Sequence, residues 1–157
     1  MQVRPVTHDD LPALLTLIAD YQRFYGNPAP DDEHNATFFG RFVAPSERGM
    51  LIGAYDDAGA AAAAAGWPPA GYACLYWTYS SISASEVVLL NDLYVRPPRR
   101  GERVGEALIA AARDVARDRG ASHLRWCTTL DNRRAQRLYE RVGAERIALL
   151  EYEFDLR

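Results

Sequence analysis

Two groups of residues in this chain have the types and spacing to do chemistry. Asn91 and Asp92 interrupt an otherwise apolar run from Val87 to Val95. Polar side chains in such a run cost free energy unless each finds a partner, so the pair marks a bulge, a hydrogen-bonded network or a catalytic site. Of the two, a carboxylate can take a proton and an amide cannot. Directly after the run, Arg100-Gly101-Glu102-Arg103-Val104-Gly105-Glu106 is a basic, glycine-containing turn that enters an amphipathic helix. Unpaired backbone N–H groups at a helix start and the positive end of its dipole suit an anion such as a pyrophosphate.

The elements that position these residues follow from pattern. Residues 2–6 read as a strand, and Thr7-His8-Asp9-Asp10 as a capping box for a helix carrying Leu11, Leu14, Leu15 and Ile18 to a stop near Gly26. Tyr21, Phe24 and Tyr25 crowd its end. A second helix opens at Asp31-Asp32-Glu33, carries Phe38, Phe39, Phe42 and Val43, and closes at Pro45. Residues 50–55 and 72–77 read as an antiparallel strand pair joined by an Ala-rich stretch, residues 56–71, expected to be a mobile hairpin insertion. Val87–Val95 is apolar on both faces, as a central strand covered on both sides would be.

After the turn, Val104, Leu108, Ala111, Ala112 and Val115 fall on one helical face, and Gly120 ends that helix. Ser122–Cys127 is a further strand. Asp131-Asn132 starts a last helix, stopped by Gly143, and the alternation in Arg146–Leu156 suits a half-exposed antiparallel strand. Strands alternating with helices make this an α/β (α+β) chain.

Composition bounds the partners. With 157 residues, 48% hydrophobic and 25% charged, the chain suits a single domain with a sizeable core. A net charge of −3 gives no general basic surface, so nucleic acid and anionic membrane are not expected partners. No apolar run reaches the roughly 18 residues of a membrane span and the start is polar, which points to a cytoplasmic protein. Cys74 and Cys127 lie in apolar strands and read as reduced core thiols, and His8, His34 and His123 lack metal-ligand spacing, so no metal is expected.

The strand Leu93-Tyr94-Val95-Arg96-Pro97 followed by Arg100-Gly101-Glu102-Arg103-Val104-Gly105 resembles the acetyl-CoA-binding motif of the GNAT superfamily of N-acetyltransferases. A second run, Asn132-Arg133-Arg134-Ala135-Gln136-Arg137-Leu138-Tyr139, continuing to Gly143-Ala144, resembles that superfamily's Asn-x-x-Ala-x-x-Leu-Tyr motif. Phe24-Tyr25-Gly26, Asp92-Leu93-Tyr94-Val95 and Arg125-Trp126-Cys127 look most like the polyamine and diamine acetyltransferase branch and its bacterial relatives. One position departs: Arg103 stands where the family has glycine. A positive φ there would disfavour arginine, whereas a helical backbone would tolerate it, and the helical case is the expectation.

The resemblance implies a mixed twisted sheet of about six to seven strands flanked by about four helices. It also implies acetyl transfer from acetyl-CoA to a primary amine of a small molecule, such as a polyamine or amino acid derivative, in a ternary complex. A protein or peptide amine, or a silent acyl-CoA-binding regulatory role, are the alternatives. In this scheme Tyr139, a phenol with an ordinary pKa of about 10, protonates the departing thiolate. Backbone groups of Leu93, Tyr94 and Val95 hold pantetheine, the turn holds the phosphates, and Asn132 and Ala135 border the cofactor, with Asn132 also suited to cap its helix. The polyamine-acetylating relatives have a Glu-Asp pair where this chain has Asn91-Asp92, so Asp92 is either the base, acting through water, or a structural, hydrogen-bonded carboxylate, with direct attack by the deprotonated fraction of the amine as the remaining route. Tyr21, Phe24 and Tyr25 border the amine substrate, and a homodimer is expected.

Overall fold

The computed structural model describes residues 1–56 and 68–156, and the chain divides into two compact units, Met1–Cys127 and Thr128–Arg157. In the first unit, strand β1 (Gln2–Pro5) leads into helix α1 (Leu11–Phe24). The expected capping box is only half formed. Asp10 accepts from the Thr7 N–H at 2.8 Å, but the Thr7 hydroxyl donates to the same carboxylate at 2.7 Å, so it does not cap the helix. The cause is Arg4, which binds both Asp10 oxygens at 2.6 and 2.9 Å and draws that carboxylate, almost wholly buried, into an ion pair beneath the helix start. Helix α2 (Asp32–Phe39) begins as its sequence indicates, with the Asp31 carboxylate accepting from the His34 N–H at 2.8 Å. A 3₁₀ turn, Gly40–Phe42, then carries Phe42 into the core.

Strands β2 (Gly49–Tyr55), β3 (Gly71–Ser80), β4 (Ser85–Val95) and β5 (His123–Arg125) complete a sheet in the order β1-β2-β3-β4-β5. Neighbours are antiparallel except β4 and β5, which are parallel. A parallel pair needs a crossover, and helix α3 (Val104–Asp118) supplies it. The sheet therefore has five strands among the described residues, not the six to seven expected. The shortfall includes Arg146–Leu156, where alternation promised a strand. Alternation makes a segment two-faced, but a strand also needs a ladder partner, and this stretch has none among the described residues. Its Ile147, Leu149 and Tyr152 are exposed. The proposed insertion falls mostly on residues 57–67, outside the described residues.

Helices cover both faces of the sheet. Leu14, Leu17 and Ile18 of α1 and Phe39 of α2 pack with Leu51, Tyr72, Cys74 and Tyr94 on one face. On the other, α3 buries Val104, Leu108, Ile109, Ala112 and Ala116, a stripe at i, i+4 spacing in which Ile109 and Ala116 replace the expected Ala111 and Val115. Cys74 is buried as expected, but Cys127, two residues past the end of β5, is exposed and is not a core thiol. In the second unit, helix α4 (Arg133–Arg141) is capped by Asn132, whose side-chain oxygen accepts from the Ala135 N–H at 3.2 Å. The Gln136 amide donates to the Leu130 and Thr129 carbonyls at 2.9 and 3.1 Å, tying the preceding turn to the helix. Among the described residues no helix is long and apolar enough to cross a membrane.

Candidate active site

The polar pair in β4 is a bulge. Along β3, Cys74 faces Asp92 and the next residue, Leu75, faces Leu90, so Asn91 is the extra residue on β4. Side chains alternate along a strand, and one inserted residue reverses their parity. Asp92 consequently shares a face with Tyr94 and with Leu89, three residues back, and that face is the one covered by α1 and α2. Without the bulge Asp92 would point toward α3.

Burial dominates the chemistry of this carboxylate. Asp92 is 7% exposed, and desolvation pushes its carboxyl above the usual range, against the opposing pull of hydrogen bonds from Asn91 and Tyr21. The Asn91 amide lies 3.2 Å from Oδ1 of Asp92 and 3.4 Å from the Tyr76 hydroxyl, while Asn91 itself is exposed. Tyr21 stands edge-on to Tyr72 and Tyr94 at 6.2 and 6.0 Å between ring centroids, and burial together with the Asp92 charge holds its phenol far above the ordinary range. Tyr72 is fully buried and its hydroxyl has no hydrogen-bond partner among the described residues. The result is a carboxylate in an aromatic, hydroxyl-bearing pocket, an environment that makes it a stronger base than a solvated aspartate.

Of the residues expected to meet the amine, Tyr21 belongs to this pocket. Tyr25 packs on Tyr21 at 4.9 Å and Phe24 on Tyr25 at 5.1 Å, but both are more than half exposed. Tyr72 and Tyr76 were not singled out by the sequence, although their period-two spacing with Cys74 places all three on one strand face.

The basic turn is tied to the end of β4. Arg100 donates through Nε to the Val95 carbonyl at 3.0 Å, and its guanidinium lies 5.8 Å from the Tyr94 ring centroid. Arg99 grips Asp56 with two bonds of 2.9 Å and Glu102 with one of 2.7 Å, so Glu102 braces the turn through an ion pair. Gly101 has φ +93° and Arg103 has φ +61°, ψ +15°. The helical backbone expected at Arg103 is thus corrected: it is left-handed, the conformation that glycine adopts without strain. The turn demands it, because the chain must reverse here before Val104, Gly105 and Glu106 form the first turn of α3. Arginine has no side-chain acceptor, and α3 has no side-chain cap. Consecutive backbone N–H groups around such a left-handed residue form a concave anion seat, which fits a phosphate.

Between the bulge and the turn lies an open edge. Strand β5 pairs only with Val87, Val88 and Leu89, and beyond them Leu90–Val95, including Leu93, Tyr94 and Val95, has no strand on that side among the described residues. Half of its backbone groups point away from β3, and an extended amide-bearing chain can pair with them. The second unit holds Asn132, Ala135 and Tyr139 on the start and body of α4, with Tyr139 half-buried.

Comparison with known proteins identifies the family. The model of the acetyltransferase (GNAT) family matches residues 13–144. The uncharacterized N-acetyltransferase YhfO of Bacillus subtilis is 32% identical over 145 residues, 92% of this chain and 90% of its own length. The D-amino-acid N-acetyltransferase HPA3 of Saccharomyces cerevisiae is 31% identical, covering 90% of this chain and 83% of its own. The bovine thialysine N-epsilon-acetyltransferase is 37% identical over 75 residues, 48% of this chain and 44% of its own length. Among solved structures, one described as a probable acetyltransferase superposes with a TM-score of 0.85 at 26% identity, over 100% of this chain and 99% of that one.

Proposed function

The chain belongs to the acetyltransferase (GNAT) family, and from that premise we propose that this N-acetyltransferase moves the acetyl group of acetyl-CoA to a primary amine of a small molecule by direct attack in a ternary complex. The observation that carries the reading is Asp92, a buried carboxylate brought by a bulge to the face where β4 borders an open edge. Relatives named for D-amino-acid and thialysine acetylation support a small amine as acceptor.

Each step has a residue. The acceptor arrives as an ammonium, and Asp92, its proton affinity raised by burial, removes one proton directly or through water. The free amine nitrogen attacks the thioester carbonyl, and the developing oxyanion is stabilised by a backbone N–H on the free edge of β4. Collapse of that intermediate breaks the carbon–sulfur bond; the departing thiolate takes a proton, the role that resemblance to the family motif gives the Tyr139 phenol, and the attacking nitrogen gives up its remaining extra proton to solvent, which restores the phenol and leaves a neutral amide and a free thiol. The left-handed turn at Gly101 and Arg103 seats the pyrophosphate. The homodimer and the cytoplasmic location expected from sequence belong to the same proposal.

The test is incubation with acetyl-CoA and a panel of amines, following release of free thiol. Turnover on small amines above the hydrolytic background supports the reading. Tight acetyl-CoA binding with no turnover on any amine overturns it in favour of a regulatory acyl-CoA-binding module.

A further inference from the structure

Face parity in the sheet places one cation beside the proposed amine site. The bulge at Asn91 puts Asp92, Leu89 and Val87 on the face of β4 that also carries Tyr76 and Thr78 of β3. Parallel pairing adds Arg125 of β5, which stands opposite Leu89 and hence shows the same face. There Thr78, Val87, Leu89 and Arg125, with Tyr79 and Ile82 from the β3–β4 hairpin, line a shallow open groove. Its floor is apolar and hydroxyl-bearing. Arg125 is exposed, and its guanidinium has no hydrogen-bond or ion-pair partner among the described residues. Arg4, Arg99 and Arg119, by contrast, are held by carboxylates, on Asp10, on Asp56 and Glu102, and on Glu86.

We propose that Arg125 binds the anionic end of the acceptor, so that the preferred substrate is an ω-amino acid of about lysine length and not a diamine or polyamine. The inference rests on the acetyltransferase reading above. Its metric comes from the sheet: Arg125 and Asp92 are separated by two rungs of about 3.3 Å and one interstrand step of about 4.8 Å, roughly 8 Å in all. Side chains on one face of a sheet stand roughly parallel, so a ligand that reaches between these two backbone positions needs an amine and a carboxylate joined by several methylenes, with its apolar stem on Leu89. A planar guanidinium binds a carboxylate through two parallel hydrogen bonds, whereas a second ammonium placed there would be repelled.

The experiment compares 6-aminohexanoate with 1,5-diaminopentane, which has the same five methylenes and an amine in place of the carboxylate, on the wild-type protein and on Arg125→Gln, by initial-rate free-thiol release. The wild type is expected to favour the amino acid in kcat/KM by about tenfold or more, and Arg125→Gln to lose that factor through KM while its rate on the diamine stays within about twofold. Arg125→Glu should reverse the preference. A wild type that favours the diamine or does not discriminate, or an Arg125→Gln variant that loses activity equally on both amines or keeps its preference for the amino acid, overturns the proposal. Turnover on the diamine in any of these variants leaves the acetyltransferase reading intact, and silence on every amine in the wild type refutes that reading itself.

Discussion

Asn91 sets the face on which Asp92 stands and also hydrogen-bonds it, with the amide nitrogen 3.2 Å from the carboxylate oxygen. The extra residue turns Asp92 under α1, and the bond opposes the upward pull of burial on the carboxyl. One residue thus controls the carboxylate's direction and its basicity. Removing the amide while keeping the backbone separates the two effects. Asn91→Ala should raise the Asp92 carboxyl further and move the acid limb of the kcat/KM–pH profile to higher pH. An unmoved acid limb would detach Asn91 from the titration of Asp92.

Asp92→Asn should lower kcat by about a hundredfold if the carboxylate is the base, the usual scale for general base catalysis. It should also stabilise the fold at neutral pH. The folded-state carboxyl is raised above its unfolded value, so the stability it contributes is present below the unfolded pKa and lost as pH rises through the folded one. An amide escapes that loss. Chemical denaturation of both proteins at pH 5 and pH 8 checks the sign: the variant's advantage grows with pH. Unchanged turnover would leave Asp92 a structural acid.

Arg103→Gly should stabilise the protein by on the order of 0.5 to 1 kcal/mol, the left-handed strain relieved less the entropy glycine gains when unfolded. If the seat is made by backbone N–H groups, acetyl-CoA affinity should stay within about threefold of wild type at moderate salt. Gly101→Val is the converse. A Cβ at Gly101 would meet no atom within 4 Å, so any damage comes from the backbone at φ +93° and not from a clash. Weaker acetyl-CoA binding by calorimetry is expected, and full affinity would contradict the phosphate seat.

Much of this site is legible in the sequence because it lies in local pattern. A polar pair within an apolar run announces a bulge, and a glycine beside arginines before a helical period announces an anion seat. What escapes is set by distant partners. The helical expectation at Arg103 weighed the residue's own preference, whereas the observed φ is imposed by the path from Val95 into α3. The capping box fails because Arg4, six residues away, competes for Asp10. Arg125 reads as an ordinary strand arginine until its pairing with Leu89 and the parity shift at Asn91 place it on the face of Asp92. The strand expected over 146–156 shows that alternation specifies faces but not a pairing partner.

Tyr139→Phe removes one hydroxyl from α4 and should reduce kcat by about a hundredfold or more while leaving acetyl-CoA affinity nearly unchanged, because only the departing thiolate needs the proton. An acyl donor with a better leaving group should recover part of the loss. Equal losses in kcat and affinity would make Tyr139 a binding residue, and no loss would remove it from the mechanism.

Asp10 tests the anchor that joins the first strand to the first helix. Burial alone would raise its carboxyl, but hydrogen bonds from Arg4 and from the Thr7 N–H and hydroxyl overcome that and hold it at about 2. A depressed carboxyl contributes stability above its unfolded pKa that is lost as pH falls through the folded value. The loss should therefore run from about pH 4 down to about pH 2 and amount to on the order of 2 kcal/mol. Asp10→Asn should bring the variant close to the acid-state stability of the wild type while costing most at neutral pH, where it leaves the Arg4 guanidinium, already stacked 3.9 Å over the Tyr55 ring, without its carboxylate. Thermal melts at pH 2 and pH 7 decide it: a stability gap between variant and wild type that is equal at the two pH values would show that the Arg4–Asp10 pair contributes nothing through its charge.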